Sequence, residues 1–373
     1  MSASHSPRVK QPTDRSAIPI GALVPQTRPG WTEAGRHLLA GLELAIQDVN
    51  AAGGILGRPL ELVVRDTAAD PQRAVAAVDE LARLGVAALA GEYHSVAARA
   101  AAARADEVGV PYLCSSAVLD ALTDQPTKWV ARLAPAQSRG WRVYAEFLLG
   151  AGHRRIGVAT EPSVYWASGT RILRDCLAPC GANIIELDIR ALSLNAVCDQ
   201  LVDNRVTAVL LLVGHPEPAV SLVKSLRHEE RLSGITIGAP AGQPEFREWV
   251  RLLGNDGAAV PFLRYLPERL NLLGSRIEAS LRNRLVAPPS FVALEGYDTI
   301  IVLAEMLRSH GVDQARAAVP WSRAAVEGTR GMIRFSRIPD IGVWQWAWSP
   351  IQIVDRDPAN PERFRILHSC PAG

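Results

Sequence analysis

The sequence predicts an α/β protein of two lobes, each built on a parallel sheet with helices on its faces. Three observations carry this reading. Its 373 residues are about twice the usual size of one domain, so two cores are expected. Short apolar runs alternate with amphipathic helical stretches at close spacing, the order that yields a mostly parallel sheet covered on both sides. The alternation breaks after residue 116, and a second series begins near residue 155.

The first series opens with an apolar run at 18–24, bounded by proline, which reads as a strand. A helix over 35–52 comes next, with Leu38, Leu42, Ala45, Ile46 and Val49 on one face. Gly53 and Gly54 end it, because a residue at positive φ caps the last turn. Arg58 and Pro59 lead into a strand at 60–65. Asp70 then supplies a side-chain cap and Pro71 a first-turn proline for a helix reaching Leu84. A strand at 86–90, an alanine-rich helix at 95–108 and a strand at 111–115 complete three units.

A strand at 129–135 and a helix at 138–149 precede the second series, whose strands fall at 155–159, 183–188, 207–213 and 235–238. From Pro261 the order changes to two helices, at 267–285 and 291–309, and then two strands, at 331–336 and 342–355. In the last strand Trp344, Trp346 and Trp348 alternate onto one face, as core filling or as a ligand-stacking platform.

Composition excludes several classes. With 48% hydrophobic and 21% charged residues the chain is globular rather than disordered. Forty basic residues against 38 acidic ones leave no excess to track a phosphate backbone or an anionic membrane, so no nucleic-acid partner is expected. All but three of the basic residues are arginine, which reads as the codon bias of a GC-rich genome. No window reaches 18 consecutive apolar residues, so direct membrane insertion is not expected. Five cysteines with no C-x-x-C pair argue against a disulfide framework and a zinc site; Cys176 and Cys180 read as buried small hydrophobes or, less simply, a ligand pair.

Catalytic and cofactor motifs are missing. Val223 precedes Lys224 where a phosphate-binding loop needs glycine, and neither G-x-G-x-x-G, G-x-S-x-G nor H-E-x-x-H occurs. His228-Glu229-Glu230 reads as a solvated helix face. No catalytic residue, cofactor or metal is assigned. Open α/β sheets nonetheless bind small molecules at the carboxyl ends of their strands, and two such sheets face to face make a cleft.

The stretch Asp48-Val-Asn-Ala-Ala-Gly-Gly-Ile-Leu-Gly-Arg-Pro-Leu-Glu-Leu-Val-Val-Arg-Asp66, continuing through Asp70-Pro71-Gln-Arg-Ala-Val75, resembles the opening of the type I periplasmic binding proteins, in their leucine/isoleucine/valine-binding and amide-binding branch. Gly91-Glu-Tyr-His-Ser95, the segment 111–123 and Gly296-Tyr-Asp-Thr-Ile-Ile-Val-Leu-Ala-Glu305 extend the resemblance over about 18–355. It implies two Rossmann-like lobes with three crossovers near 135, 263 and 336, closing on a small solute. The first lobe would comprise 18–135 and 264–335, the second 136–263 and 336–373, after a disordered tail at 1–17.

The resemblance also implies a site. Ser95 matches the serine that binds a ligand carboxylate, and Ser116, Ala117 and Val118 match the loop that offers a carbonyl and a threonine hydroxyl to the ammonium. Tyr93 with Ser95 matches the Gly-x-Tyr-x-Ser of amide binders, Ser115 adds a hydroxyl, and Tyr165, Trp166, Trp31 and His215 fall where aromatic or polar contacts are expected. For each the plain alternative is a core or loop residue; Glu92 reads as solvated. Gly214 and Ala241 stand where a tyrosine and a glutamate would hold an α-ammonium, so a standard branched-chain amino acid is not the expected ligand. Ala69 and His94 occupy the positions of a disulfide common in the leucine-type receptors.

The resemblance and the site together imply a non-catalytic receptor for a small polar solute, amino-acid-like, amide or urea-like, working with an ABC permease through hinge closure. The alternative is a cytosolic ligand sensor acting on a regulatory protein. Residues 1–17 contain no apolar segment of signal-peptide type, which with the missing disulfide favours the cytoplasm; a different start site or a removed signal would place the protein outside it.

Overall fold

The computed structural model describes residues 17–312 and 320–370. Of the expected tail at 1–17, all but Ala17 lies outside the described residues. The first lobe is organised by an eight-stranded sheet whose order is β11 (Ala325–Gly328), β12 (Gly331–Ser336), β13 (Trp344–Trp346), then β5, β4, β3, β1 and β2. Strands β1 (Ile18–Val24), β2 (Leu60–Asp66), β3 (Ala88–Gly91), β4 (Tyr112–Cys114) and β5 (Val130–Arg132) pair in parallel. Their connections are α1 (Thr32–Ala51), α2 (Pro71–Arg83) and α3 (Ser95–Val108). Asp70 caps α2 as expected, its Oδ1 accepting from the Arg73 N–H at 2.8 Å.

The second lobe holds a parallel sheet, β7-β6-β8-β9, made from β6 (Arg155–Thr160), β7 (Asn183–Asp188), β8 (Ala208–Leu212) and β9 (Thr236–Gly238). Helices α4 (Gln137–Gly150), α5 (Val164–Leu177), α6 (Leu194–Asp203), α7 (Ala219–His228) and α8 (Arg247–Leu253) belong to it. An antiparallel sheet of β10 (Phe262–Arg264), β14 (Ile351–Asp357) and β15 (Asn360–Cys370) adjoins it, linked where the Ala239 N–H donates to Pro261 O at 2.9 Å.

Helices α9 (Leu272–Leu285) and α10 (Phe291–His310) return to the first lobe. There α10 lies on α1 at very short range. A Cβ on Gly41 would sit 1.9 Å from Ala293 O, and one on Gly296 2.4 Å from Leu38 O, so both crossing points require glycine.

The end of the chain corrects two expectations. The strand expected over 342–355 is two strands on two sheets. β13 (Trp344–Trp346) pairs with β5 and with β12 (Gly331–Ser336), whereas β14 pairs with β10 and β15. The third crossing therefore falls after Trp346 instead of near 336. For the same reason the three tryptophans do not form one row: Trp344 (half-buried) and Trp346 (buried) belong to β13, whereas Trp348 lies beyond the strand end and is 62% exposed. Cys176 is half-buried and Cys180 exposed, so they are not the buried pair the sequence suggests: α5 ends at Leu177, and Cys180 lies in the short 3₁₀ turn beyond it.

Two of the crossings are tied together. Arg132, fully buried, donates from Nε to Gln345 Oε1 at 2.8 Å and from Nη1 to Leu119 O at 2.5 Å. Gln345 Nε2 in turn donates to Ala134 O at 2.6 Å.

Candidate functional site

Between the lobes lies a cavity of about 240 Å³. From the first lobe it is lined by Trp31 and Ala69, by Tyr93 to Val96 at the start of α3, and by Ser116, Val118, Tyr265 and Phe291. Ser163, Tyr165, Trp166, Gly214, Ala241 and Leu263 close it from the other side. No lining side chain is a carboxylate, a guanidinium or an ammonium. Its character is set by rings instead: Trp31 lies 5.7 Å from Tyr93, Tyr165 4.7 Å from Trp166, and Tyr265 5.1 Å from Phe291, between ring centroids.

The loop between β3 and α3 is held by Glu92. Its Oε1 accepts from the N–H groups of Tyr93 (2.8 Å) and His94 (2.7 Å), and its Oε2 from the Thr67 hydroxyl (2.6 Å). Glu92 is fully buried, not solvated as its charge suggests, and its backbone sits at φ +66°. Burial pushes its carboxyl up to about 7 against the pull of those three donors. By taking the loop's N–H groups it fixes the entry to α3, whose first turn has no side-chain cap and opens at Ser95 and Val96 on the cavity.

Donor and acceptor roles on this wall follow from bond counting. Ser95 Oγ accepts from the N–H groups of Val118 (3.3 Å) and Leu119 (3.2 Å), which uses both lone pairs and leaves its O–H to donate. His94 Nε2 accepts from the Trp31 N–H at 2.9 Å, so the proton of the neutral ring sits on Nδ1. Burial lowers the His94 pKa to about 4, and the ring is neutral at ordinary pH. Ser95, His94 and the start of α3 thus make a wall of uncharged donors, suited to a carboxylate or amide oxygen. Tyr93, Tyr165 and Tyr265 bring phenol groups to the same space, their pKa values raised by burial, so they stay protonated.

Six of the eight residues expected at the site meet at this cavity: Trp31, Tyr93, Ser95, Ser116, Tyr165 and Trp166. Two do not. Ala117 packs fully buried into the apolar core beside Cys114 and Leu122. His215 stands behind Trp31, its ring 5.8 Å from the indole, in a small neighbouring hollow with Glu33, Phe246 and Glu248. The Ser115 hydroxyl pairs with Thr299 at 2.7 Å, away from the cavity. Sequence reasoning missed His94, Tyr265 and Phe291. His94 had a signal, its place between Tyr93 and Ser95; Tyr265 and Phe291 come from segments far along the chain, which only the second crossing brings back.

Gly214 and Ala241 do line the cavity, so no acid stands on the second-lobe wall. Ala69 and His94 also line it, and all five cysteines are free. Among the described residues no group of three or more histidine, cysteine or acidic side chains is placed to hold a metal ion, and no helix is long and apolar enough to cross a membrane.

Two α/β lobes crossed three times by the chain, with a ring-lined cavity between them, define a ligand clamp. The family model described as periplasmic binding protein matches residues 17–337, and the chain belongs to that family. It is 26% identical over 155 residues to the Leu/Ile/Val-binding protein of Escherichia coli K12, a match spanning 41% of this chain and 42% of that protein. It is similar in structure to a leucine-binding protein of Thermotoga maritima (TM-score 0.81, 18% identity, covering 95% of this chain and 99% of that one). A solute-binding protein of an ABC transporter from R. palustris, solved with benzoate, is similar at a TM-score of 0.78 and 18% identity, covering 96% and 97%. At such identities the structural likeness speaks for the fold. By family the chain is a binding protein and not an enzyme.

Proposed function

We propose that the chain is a solute-binding protein that closes its two lobes on a small molecule with a flat or apolar body and an acceptor head, a carboxylate or an amide. One observation carries the ligand class: the cavity wall is made of rings and uncharged donors, and Gly214 and Ala241, which the family resemblance sets where an ammonium would need an acid, bring no charge to it. An α-ammonium enclosed there would be a buried, unpaired charge, costing several kcal/mol. Neighbours of the same fold have been solved with leucine and with benzoate, and the lining favours the second kind of solute.

A thermal-shift series with leucine, benzoate and benzamide tests this, since a ligand confined to the folded state raises the melting temperature. Benzoate or benzamide is expected to raise it and leucine to leave it unchanged. Micromolar leucine binding would overturn the reading.

The closed form would be read by an ABC permease. A second reading, a cytosolic sensor with a regulatory partner, has one observation in its favour: five free cysteines, with Ala69 and His94 at the family's disulfide positions. Fractionation of cells producing the full-length protein separates the two.

A further inference from the structure

Outside the solute cavity the lobes meet through a repeated device. Helices α8 and α10 begin beside the interlobe boundary, one on each lobe, and in neither does the N-cap side chain hydrogen-bond the first turn. Backbone N–H groups at a helix start need an acceptor from elsewhere. Here each is met by a carboxylate of the opposite lobe. Glu33, in the first turn of α1, accepts from the Arg247 N–H with Oε1 (2.9 Å) and from the Glu248 N–H with Oε2 (3.0 Å). Glu245, from the second lobe, accepts from the Phe291 N–H with Oε1 at 3.1 Å.

The two contacts differ in what else holds them. Glu245 is buried and paired with Arg264 (3.0 Å), whose strand leads into the second crossing, so it belongs to the fixed side of the clamp. Glu33 has no such tie to a crossing strand; beside it Arg28 of the same lobe also reaches Glu248 (3.1 Å). The Glu33 side chain is 13% exposed, and both oxygens accept from the other lobe, while within its own helix only Arg36 comes near, 3.9 Å from Oε1. Opening the clamp must break both bonds, whereas nothing within the first lobe is lost with them.

We propose that Glu33 is an interlobe catch, a residue that sets how much of the closed form the protein holds, and hence its affinity, without touching the solute. The catch rests on the clamp geometry and not on the choice of solute, so the protein alone tests it. Amide hydrogen exchange of the full chain without added solute is compared for wild type, Glu33→Gln and Glu33→Ala. If Glu33 holds the lobes together, segments 93–97 and 163–167, which face each other across the cavity, exchange severalfold faster in Glu33→Ala. Glu33→Gln, which keeps one acceptor, falls between. If Glu33 only tidies the start of α8, the acceleration stays within 244–253, and that result, or no change at all, overturns the proposal. Should Glu33→Ala fail to fold, Glu33→Gln decides by the same two segments.

Discussion

Trp31 donates its backbone N–H to His94 Nε2 at 2.9 Å, and this bond joins the loop after β1 to the loop after β3 across the cavity rim. It holds only while the imidazole is neutral, because a protonated ring has no acceptor to offer. Burial supplies that condition by lowering the His94 pKa to about 4.

The pH dependence has a defined sign. The unfolded chain protonates His94 below about 6.5, while the native ring resists until about 4, so this residue makes stability fall as the pH drops through that window. His94→Gln removes the effect. The difference in unfolding free energy between variant and wild type is expected to move toward the variant by about 1–2 kcal/mol between pH 7 and pH 5. Urea unfolding at the two pH values measures it, and an unchanged difference would show that the native ring protonates normally.

Glu92 acts in the opposite sense. Its native carboxyl holds a proton up to about 7, whereas the unfolded chain releases it near 4.5, so stability falls as the pH rises between those values. In Glu92→Gln the amide oxygen can stand in for Oε1 and accept from the Tyr93 and His94 N–H groups, while the titration itself is abolished. The stability of the variant relative to wild type should therefore rise by about 2–3 kcal/mol from pH 5 to pH 8. Parallel unfolding curves at both pH values would count against a raised native pKa.

The crossing of α1 and α10 predicts a steep cost for one methyl group. At Gly41 the new Cβ meets backbone on the neighbouring helix, Ala293 O at 1.9 Å, and no side-chain rotation relieves it. Gly41→Ala should lower stability by about 2 kcal/mol or more, as overpacking does. Gly53→Ala is the comparison: no atom lies within 4 Å of its Cβ, and only the positive φ of +98° opposes it. A smaller loss at Gly41 than at Gly53 would contradict the close approach.

How far the sequence revealed this molecule depended on range. Strands at 18–24, 183–188 and 331–336 and the helix at 95–108 have the predicted bounds, because apolar period, glycine and cap are local signals. The strands β10, β11 (Ala325–Gly328) and β15 escaped, since each is defined by a partner distant in the chain or by an edge with little apolar pattern. At the site, Ser95 and Tyr93 were legible because they lie in one short motif. Glu92 was misread from its charge alone: only the fold shows that Thr67 and two backbone N–H groups accompany it into the interior.

Beneath the cavity floor, Arg330 is fully buried between two carboxylates, donating from Nε to Asp298 at 3.0 Å and from Nη1 to Glu295 at 3.1 Å. Its guanidinium also lies 5.0 Å from the Trp346 ring, which ties α10 to the strands beyond it. Burial raises the pKa of both acids, and Arg330 opposes that rise. Arg330→Met would leave two buried carboxyls without their cation, and breaking a buried ion group in this way costs about 3–5 kcal/mol. Adding Glu295→Gln to Arg330→Met removes one of the stranded charges, so the double variant should be more stable than the single one at pH 8, where an unpaired Glu295 is most costly. Urea unfolding of the two proteins reads this directly. A double variant less stable than the single one would mean that Glu295 contributes by shape and hydrogen bonding rather than as the partner of Arg330.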